Sequence, residues 1–441
     1  MKTSEKNRMS LVYLPGIAYW VSVLCLFGVA QATQDRLDSA LTALASLFGF
    51  GLLDSNRQAL LSYAPSLKGL LFLISLAFLL APIARDMHRN LAQSTLREVV
   101  STLVLSLAAL VLLGLLVFHL GNINMGEGYA LRSLDPFGQM ADWYNRRLLM
   151  PATAHVLFFR GGWLYFAFGL LATACFLAVV QIWFRVHAPL PFWQFISLCT
   201  SSFVISQFQS PGYPDILTFT FLALVMSRGF SQESKTALLV LALATHEGSL
   251  FIGTVLAWRF LDRRHFASYM LLLFLYGLIW LAGSCFQIET LLSSHHVRGM
   301  SSIQWVIQNP KAELLGLFVS FKVVWVLPAL SVYIGIKRRQ WRNVVFVSLC
   351  GCVAVLMTFL GVDTSRMAGW AFPAVFISLQ TIHSHLAPRQ ASRLLSSVFL
   401  ANLLIPSFRV GLNSGIVVRG GGYSYLYDLI MSAKHLVEQS F

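Results

Sequence analysis

The residues best suited to chemistry lie in a polar interval, residues 121–151, that interrupts a chain built largely of apolar segments. Within it, Glu127 stands between two glycines, which predict a flexible backbone able to approach a ligand closely. A carboxylate in such a position can act as a general base. Arg146 and Arg147, later in the same interval, can each hold a phosphate through two parallel hydrogen bonds. The interval therefore predicts chemistry on a phosphate-linked substrate, with Glu127 as the base.

Further ionisable residues fall near the ends of apolar segments, where a charge is costly and a functional role is the default hypothesis. They are Asp215, His246, Glu247, Asp363 and Arg366. Structural roles are open as well. Asp215 and Asp363 suit the N-caps of the helices that follow them, with Arg366 as the partner of Asp363. His246 and Glu247 suit a buried polar pair at a helix junction, and Asp135, before a proline, is typical of a turn.

Cysteines and histidines give no sign of a metal site. The six cysteines lie within or beside apolar runs and lack metal-ligand spacing. The adjacent residues His295 and His296 have no evident third ligand, so no metal ligands are predicted and the need for a divalent cation stays open. Trp370 is expected in an interfacial aromatic belt, with a stacking wall for a sugar or isoprenoid as the alternative.

Composition places these residues in a membrane protein. Hydrophobic residues make up 57% of the 441 residues and charged residues 11%, and the mean hydropathy is +0.69. Many apolar runs are long enough to cross ~30 Å of hydrocarbon as helices. Because these runs are continuous and do not alternate, an outer-membrane barrel is excluded. The expected fold class is an all-α, polytopic integral membrane protein.

The apolar runs predict about eleven transmembrane helices. The spans are expected near residues 11–30, 67–84, 100–120, 161–183, 193–209, 214–229, 266–284, 313–336, 343–361, 367–384 and 394–408. The first run follows a basic start and is too long for a cleaved signal, so it is interpreted as a retained span. An amphipathic stretch at 40–53 is expected to lie along the surface.

Residues 236–258 break this count. They resemble one span, but a single crossing would put the basic turns at 259–264 and 337–342 both on the outer side of the membrane, against the positive-inside rule. Polar residues 245–247 at their centre instead favour two half-length helices that form a re-entrant hairpin, which must be buried or line a wet cavity. The alternative is that residues 193–229 cross only once, as a short re-entrant pair.

The basic residues then set the orientation. The formal net charge is +14, but the excess lies in short turns at 85–97, 259–264, 337–342 and 389–393. This is the pattern of cytoplasmic loops and not of a nucleic-acid-binding surface. The polar interval and the ionisable residues named above then share the opposite face. The chain is divided into an N-terminal segment with two spans (1–98), a transmembrane core (99–408) and a short extracytoplasmic tail (409–441).

At these residues the chain resembles the polytopic glycosyltransferases of the GT-C superfamily. The outer loop carries an acidic residue, Glu127, then Tyr129, then the motif DPF that begins at Asp135. The segment YNRRLLMPATAHVL, residues 144–157, is similar to the YR-x-L-x-P pattern common in that superfamily. Segments 213–224, 241–251 and 363–375 look like later blocks of bacterial members, so the resemblance covers roughly residues 100–385. This loop carries Gly-Glu-Gly where a paired Asp-x-Asp is usual, and the large soluble C-terminal domain is missing.

The resemblance implies an inverting glycosyltransferase of the bacterial inner membrane, with a GT-C-like core and its active face extracytoplasmic. The implied donor is a polyprenyl-phosphate-linked sugar, and the implied partners are that lipid and membrane lipids, without nucleic acid. Glu127 takes the place of the catalytic carboxylate. Substrate contacts are expected from Tyr129, Asp135, Tyr144, Arg146, Arg147, Asp215, His246, Glu247, Asp363 and Arg366.

Other functions fit parts of the same pattern. Broken helices and polar residues at membrane depth also suit a flippase or transporter for a lipid-linked sugar. Against this, the charged residues lie on one side of the membrane and do not line a path across it, and the sequence shows no inverted repeat. A polysaccharide polymerase or ligase would use a diphosphate-linked donor instead. A non-catalytic scaffold is a further alternative.

Overall fold

The computed structural model describes residues 54–117, 124–137, 147–209, 212–283, 302–361, 363–411 and 415–418. This part of the chain is mostly helical and carries one two-stranded β-hairpin. The span expected at 11–30, the surface stretch expected at 40–53, and the site residues Tyr144 and Arg146 lie outside the described residues.

The described helices are numbered in chain order. The first half of the chain forms α1 (Asp54–Ala92), α2 (Leu96–Val117), α3 (Asn124–Leu134), α4 (Leu149–Val156), α5 (Gly162–His187), α6 (Phe192–Cys199), α7 (Ser202–Gln209) and α8 (Asp215–Val225). The second half forms α9 (Gln232–Thr245), α10 (Ser249–Phe260), α11 (Arg263–Gly283), α12 (Ser302–Gln308), α13 (Pro310–Phe321), α14 (Val326–Lys337), α15 (Trp341–Leu360), α16 (Thr364–Ala368), α17 (Phe372–His385) and α18 (Pro388–Leu404). Short 3-10 turns, Lys322–Trp325 and Gly369–Ala371, join α13 to α14 and α16 to α17.

Five helical segments in the described part are long and apolar enough to cross a membrane. They are Gly69–Ala92, Leu96–Val117, Gly162–His187, Pro310–Lys337 and Trp341–Leu360. On α2, more than half of each of five apolar side chains is exposed: Leu103, Val104, Leu107, Val111 and Leu115. Such a continuous apolar surface is unfavourable in water and suits contact with lipid. The chain is therefore a helical membrane protein.

The expected spans at 193–209 and 214–229 form helices shorter than predicted. The run at 193–209 breaks at Thr200–Ser201 into α6 and α7, and the run at 214–229 yields α8, which has 11 residues. At the break, Thr200 Oγ1 donates to the carbonyl of Ser197 (2.7 Å), and Asn402 Nδ2 from α18 donates to the same carbonyl (2.8 Å). Side chains that bond to backbone groups in this way compete with the helix. The count of eleven spans thus stays a prediction.

The basic turns meet at one end of the bundle, which we call the basic face; it comprises residues 85–97, 185–191, 228–235, 259–264, 337–343 and 385–393. Arg85 on α1 pairs with Glu233 at the start of α9 (3.2 Å). Arg259 Nη2 donates to Asn343 Oδ1 (3.0 Å), and Gln340 Nε2 lies 2.9 Å from His385 Nε2. These contacts tie together turns that are far apart in sequence.

Helices α9 and α10 form a hairpin whose two open ends lie at the basic face. The backbone N–H of Asp262, after α10, donates to Gln232 Oε1 at the start of α9 (3.0 Å). With 14 and 12 residues, each helix is roughly 20 Å long, less than the ~30 Å of a bilayer core. From Ser234 to Thr245 every residue of α9 is buried, as a broken helix at membrane depth requires. The helix break expected within 236–258 is therefore present, at residues 246–248.

Aromatic side chains pack the core below the tip of this hairpin. The rings of Phe203 on α7 and Phe372 on α17 stack at 5.7 Å between centroids, and Phe219 meets Trp370 edge-on at 5.0 Å. Gly369 permits this packing, because a Cβ there would lie 3.0 Å from the backbone nitrogen of Phe203. Trp370 is fully buried, so its expected place in an interfacial belt is wrong.

The first strand of the C-terminal β-hairpin packs against helices of the core. β1 (Phe408–Gly411) pairs with β2 (Gly415–Val418) in antiparallel register, and β1 packs against α13 and α16. The domain boundary expected between residues 408 and 409 lies within β1, and the division into domains stays a prediction. The strand carries Arg409, which is buried.

Candidate functional site

Polar side chains from separate parts of the chain meet at the end of the bundle opposite the basic face. We call this group the polar network; its members are Tyr129, Arg147, Tyr213, Asp215, His246, Glu247, Asp363, Arg366 and Arg409. All are buried except Glu247, whose side chain is 19% exposed. The tip of the α9–α10 hairpin lies within this network, which also draws on the ends of α8 and α16. Glu247 is thus the member with the most direct access to a ligand.

Arg147 is the centre of the network. Its Nε and Nη2 donate to the two carboxylate oxygens of Glu247 at 2.9 and 2.5 Å. Its Nη1 donates to the phenol oxygens of Tyr129 (2.8 Å) and Tyr213 (2.6 Å). Burial acts to raise the pKa of Glu247, but the charge of Arg147 outweighs it, and that pKa lies well below its usual range. The pair is therefore ionised and held in one orientation by its forked geometry.

Arg366 forms the second cationic centre. Its Nη1 donates to Asp215 Oδ2 at 3.1 Å, and its guanidinium carbon lies 4.2 Å from the centroid of the Tyr213 ring. The guanidinium carbon of Arg147 lies 5.6 Å from the same centroid. Both distances suit a cation–π interaction, so Tyr213 links the two arginines.

His246 lies between the two ion pairs. Its Nδ1 accepts a hydrogen bond from the backbone N–H of Gly248 (2.9 Å), so the neutral ring carries its proton on Nε2. That Nε2 is 3.2 Å from Asp215 Oδ1, and Nδ1 is 3.6 Å from Glu247 Oε2. Burial, together with the charge of Arg147, lowers the pKa of His246 to about 4. The imidazole is therefore neutral at pH 7.

This lowered pKa predicts a pH dependence of stability. His246 has a folded-state pKa of about 4 against about 6.5 in an unfolded chain, so its contribution is complete above pH ~6.5 and is lost as the pH falls toward 4. Arg147, Glu247 and Arg366 keep their charge over that window, and the carboxylate of Asp215 also faces the imidazole. We expect the melting temperature of the purified protein to fall between pH 6.5 and 4.5. The difference from a His246→Gln variant should vanish at the acid end; a constant difference would contradict the assignment.

Asp363 anchors the far side of the network. Its carboxylate caps α16, accepting from the backbone N–H of Arg366 (3.3 Å) and from Ser365 Oγ (3.1 Å). The N-cap role expected for Asp363 is therefore present. Its nearest cation is Arg409 at 3.0 Å, whereas Arg366 Nε is 4.0 Å away. The expected Asp363–Arg366 pair is present at the longer distance of 4.0 Å. Each residue also has a closer partner that is distant in sequence: Arg409 for Asp363, and Asp215 for Arg366.

Asp215 differs from its expected capping role. The N-cap of α8 is Pro214, and Asp215 lies in the first helical turn without capping the helix through its side chain. Its carboxylate turns instead to Arg366 and His246. Full burial of an aspartate requires such partners, which explains why the charge pairs outweigh capping here.

Glu127 and Asp135 lie apart from the network. Glu127 sits in the first turn of α3 and is exposed, so the flexible loop expected around it is wrong. An acidic residue at this position complements the helix dipole, which accounts for the helix despite two glycines. Tyr129, two residues on, faces the network. Helix positions two residues apart lie on roughly opposite sides of the helix, so the side chain of Glu127 is directed away from the network. Asp135 is exposed in the turn after α3, as its proline neighbour indicates.

Several atoms of the site lack hydrogen-bond partners within the described ranges. These buried atoms are His246 Nε2, Arg366 Nε, Trp370 Nε1 and Asp215 Oδ1. The ring centroids of His246 and Trp370 are 5.0 Å apart. His246 Nε2 and Asp215 Oδ1 lie 3.2 Å apart but out of the alignment that a hydrogen bond requires. Buried polar atoms are almost always satisfied, so three N–H donors in one place favour an oxygen-rich ligand or ordered water.

Sequence reasoning missed three contributors. Tyr213 was noted only as part of the segment 213–224. Trp370 was expected at the membrane–water interface, and Arg409 was assigned to the C-terminal tail. The proximity of Tyr213 to Asp215 in sequence was a usable signal for the first. For Arg409 no such signal exists, because its partner Asp363 lies 46 positions away.

In the described part of the chain, no group of three His, Cys, Asp or Glu residues is placed to hold a metal ion. Searches for related proteins give no match, either among family models, among curated proteins or among solved structures.

Proposed function

We propose that this protein is a membrane glycosyltransferase that takes a polyprenyl-phosphate-linked sugar as donor and transfers the sugar to an extracytoplasmic acceptor. The observation that carries the proposal is the set of three unpartnered buried donors, on His246, Arg366 and Trp370, beside two guanidiniums. Donors in excess of acceptors fit the oxygen atoms of a sugar phosphate. The site lies opposite the basic face, which the positive-inside rule assigns to the cytoplasm of a bacterial inner membrane.

The chemistry divides among these residues. The acceptor hydroxyl attacks the anomeric carbon, the bond from that carbon to the phosphate oxygen breaks, and the electron pair leaves with polyprenyl phosphate. Arg366 and Arg147 stabilise the charge that grows on this leaving group, because a buried guanidinium acts more strongly than one in water. Glu247 holds Arg147 in position. Glu127, two residues before Tyr129 on α3, is our proposed general base for the acceptor proton. Because its side chain is directed away from the network, this role requires α3 to turn toward the acceptor when the donor binds.

The assignment of Glu127 is tested by Glu127→Gln. We expect the rate of polyprenyl phosphate release from a panel of polyprenyl-phosphate hexoses and pentoses, with acceptor present, to fall about 10²–10⁴-fold, the usual effect of losing a general base. Glu233→Gln is the matched control, since Glu233 is exposed and lies at the basic face. A folded Glu127→Gln protein with full activity would move the base elsewhere, and Glu247→Gln would then be the next variant.

One observation favours a second candidate, a flippase for a lipid-linked sugar. The α9–α10 hairpin breaks at the network, and interrupted helices with polar ends often form transport sites. Purified protein in liposomes separates the two functions. Movement of a labelled lipid-linked sugar between leaflets without a glycosylated product would support the flippase. Product formed only from a diphosphate-linked donor would support a polymerase or ligase.

A further inference from the structure

An open pocket lies at the basic face, at the turn between α14 and α15. It has a volume of about 380 Å³ and is lined by Arg339, Gln340, Trp341, Arg342 and Asn343. The helical segments that it joins, Pro310–Lys337 and Trp341–Leu360, are both long enough to span a membrane. The pocket is therefore positioned where a bilayer meets its headgroup layer.

Positive charge dominates the lining. Arg339 and Arg342 belong to it, Lys337 and Arg338 precede it, and none of the five lining side chains is acidic. Behind it, Arg259 Nη2 donates to Asn343 Oδ1 (3.0 Å), and Arg342 Nη2 donates to the carbonyl of Arg259 (2.8 Å). These acceptors are an amide and a carbonyl, and neither neutralises a guanidinium. The hydrogen bonds thus position the cations and leave their charge available to an anion.

The aromatic and backbone features of the turn also suit a ligand. Trp341 is 58% exposed, and tryptophan is favoured where hydrocarbon meets headgroups. Arg339 has φ +57°, a left-handed conformation that is unusual for a residue with a side chain. This conformation ends α14 in a capping turn, in which the backbone N–H of Gln340 donates to the carbonyl of Gly335 (2.8 Å), and it fixes where Arg339 and Trp341 stand.

We propose that this pocket binds the phosphate headgroup of an anionic phospholipid in the leaflet that contacts the basic face. Arg339 and Arg342 hold the phosphate oxygens, because guanidinium groups can donate two parallel hydrogen bonds. Trp341 packs against the glycerol and the first acyl carbons. Basic pockets at helix ends on the cytoplasmic side are a general means of recognising anionic lipids. The site is distinct from the polar network at the opposite end.

The test measures lipid binding to the full-length purified protein by native mass spectrometry, with phosphatidylglycerol and phosphatidylcholine as probes. We expect phosphatidylglycerol to bind at least tenfold more tightly, and the paired change Arg339→Gln with Arg342→Gln to weaken it about tenfold or more. The matched control is Arg389→Gln with Arg393→Gln, which removes the same charge from exposed positions on the same face. Equal melting temperatures establish that both variants fold.

Three results would overturn the proposal. An equal loss of binding in the control pair would reduce the effect to general surface charge. Equal binding of phosphatidylcholine would remove the role of headgroup charge. Displacement of phosphatidylglycerol by millimolar inorganic phosphate would identify the pocket as a site for free phosphate. The lipid site is supported if the control variant still prefers phosphatidylglycerol to phosphatidylcholine and the Arg339→Gln, Arg342→Gln variant does not.

Discussion

Replacing Arg147 by leucine is expected to lower the free energy of unfolding by about 3–5 kcal/mol, the usual effect of removing one partner from a buried ion pair. The change leaves the ionised Glu247 without its two hydrogen bonds and the phenols of Tyr129 and Tyr213 without their donor. Unfolding by sodium dodecyl sulfate, followed by tryptophan fluorescence, measures the effect. A hydrogen bond between neutral groups in a membrane contributes only about 0.6 kcal/mol on average. The loss of about 3–5 kcal/mol expected for the ion pair is therefore easily distinguished from the loss of one such hydrogen bond.

A double-mutant cycle isolates the ion pair. Since the unpaired carboxylate causes most of the loss, Arg147→Leu combined with Glu247→Leu should be more stable than Arg147→Leu alone. Arg160→Leu is the control, because Arg160 is exposed. Its contacts within the described residues are local: it donates to the carbonyl of His155 (3.0 Å) and lies 5.1 Å from the centroid of the Phe158 ring. If Arg147→Leu were no more destabilising than Arg160→Leu, the buried pair would not contribute as its geometry implies.

Activity separates the structural role of Arg147 from its chemical role. If the guanidinium stabilises the leaving phosphate, the rate of polyprenyl phosphate release should fall about 10²–10³-fold in the stable double variant. Arg147→Lys should also be impaired, because an ammonium group cannot reproduce the fork toward Glu247. Full activity in the double variant would leave Arg147 a purely structural residue.

The convergence of charged residues could be predicted from the sequence because it depends on topology alone. Basic turns define one face, and the charges of Asp215, Glu247 and Arg366 then fall at the other. Their pairing could not be predicted. Asp215 and Arg366 are 151 positions apart and Arg147 and Glu247 are 100 apart, and hydropathy carries no information about which side chains meet across a bundle.

Local structure was predictable where the apolar pattern is long and uninterrupted. α2 and α15 match their expected spans to within a few residues. The pattern fails where hydrogen bonds override it: the apolar run at 193–209 gives no sign that Asn402 of α18 bonds at the carbonyl of Ser197. It fails again at Glu127, where flanking glycines favoured a loop but the chain forms α3.

Replacing Asp215 by alanine is the second change with a large expected effect. Arg366 would keep only the more distant carboxylate of Asp363, 4.0 Å from its Nε, and His246 would lose its nearest anion. We therefore expect a loss of about 3–5 kcal/mol in the free energy of unfolding. Asp215→Asn should be milder, about 1.5–3 kcal/mol, because the amide oxygen still accepts from Arg366 while the charge is lost.

The control for Asp215 is Asp262, whose side chain is 53% exposed and pairs with His265 at 2.9 Å on the basic face. Asp262→Ala should lower the free energy of unfolding by only about 0.5–2 kcal/mol. The exposed pair contributes little, and the loss is mainly that of the capping bond from the backbone N–H of His265 (2.9 Å). A loss from Asp215→Ala that matched this control would mean that solvent reaches the network. The Asp215→Asn variant then tests whether the charge of the carboxylate serves the reaction as well as stability. If it unfolds nearly as the wild type does but transfers no sugar, the charge of Asp215 serves the reaction, acting through Arg366 and His246.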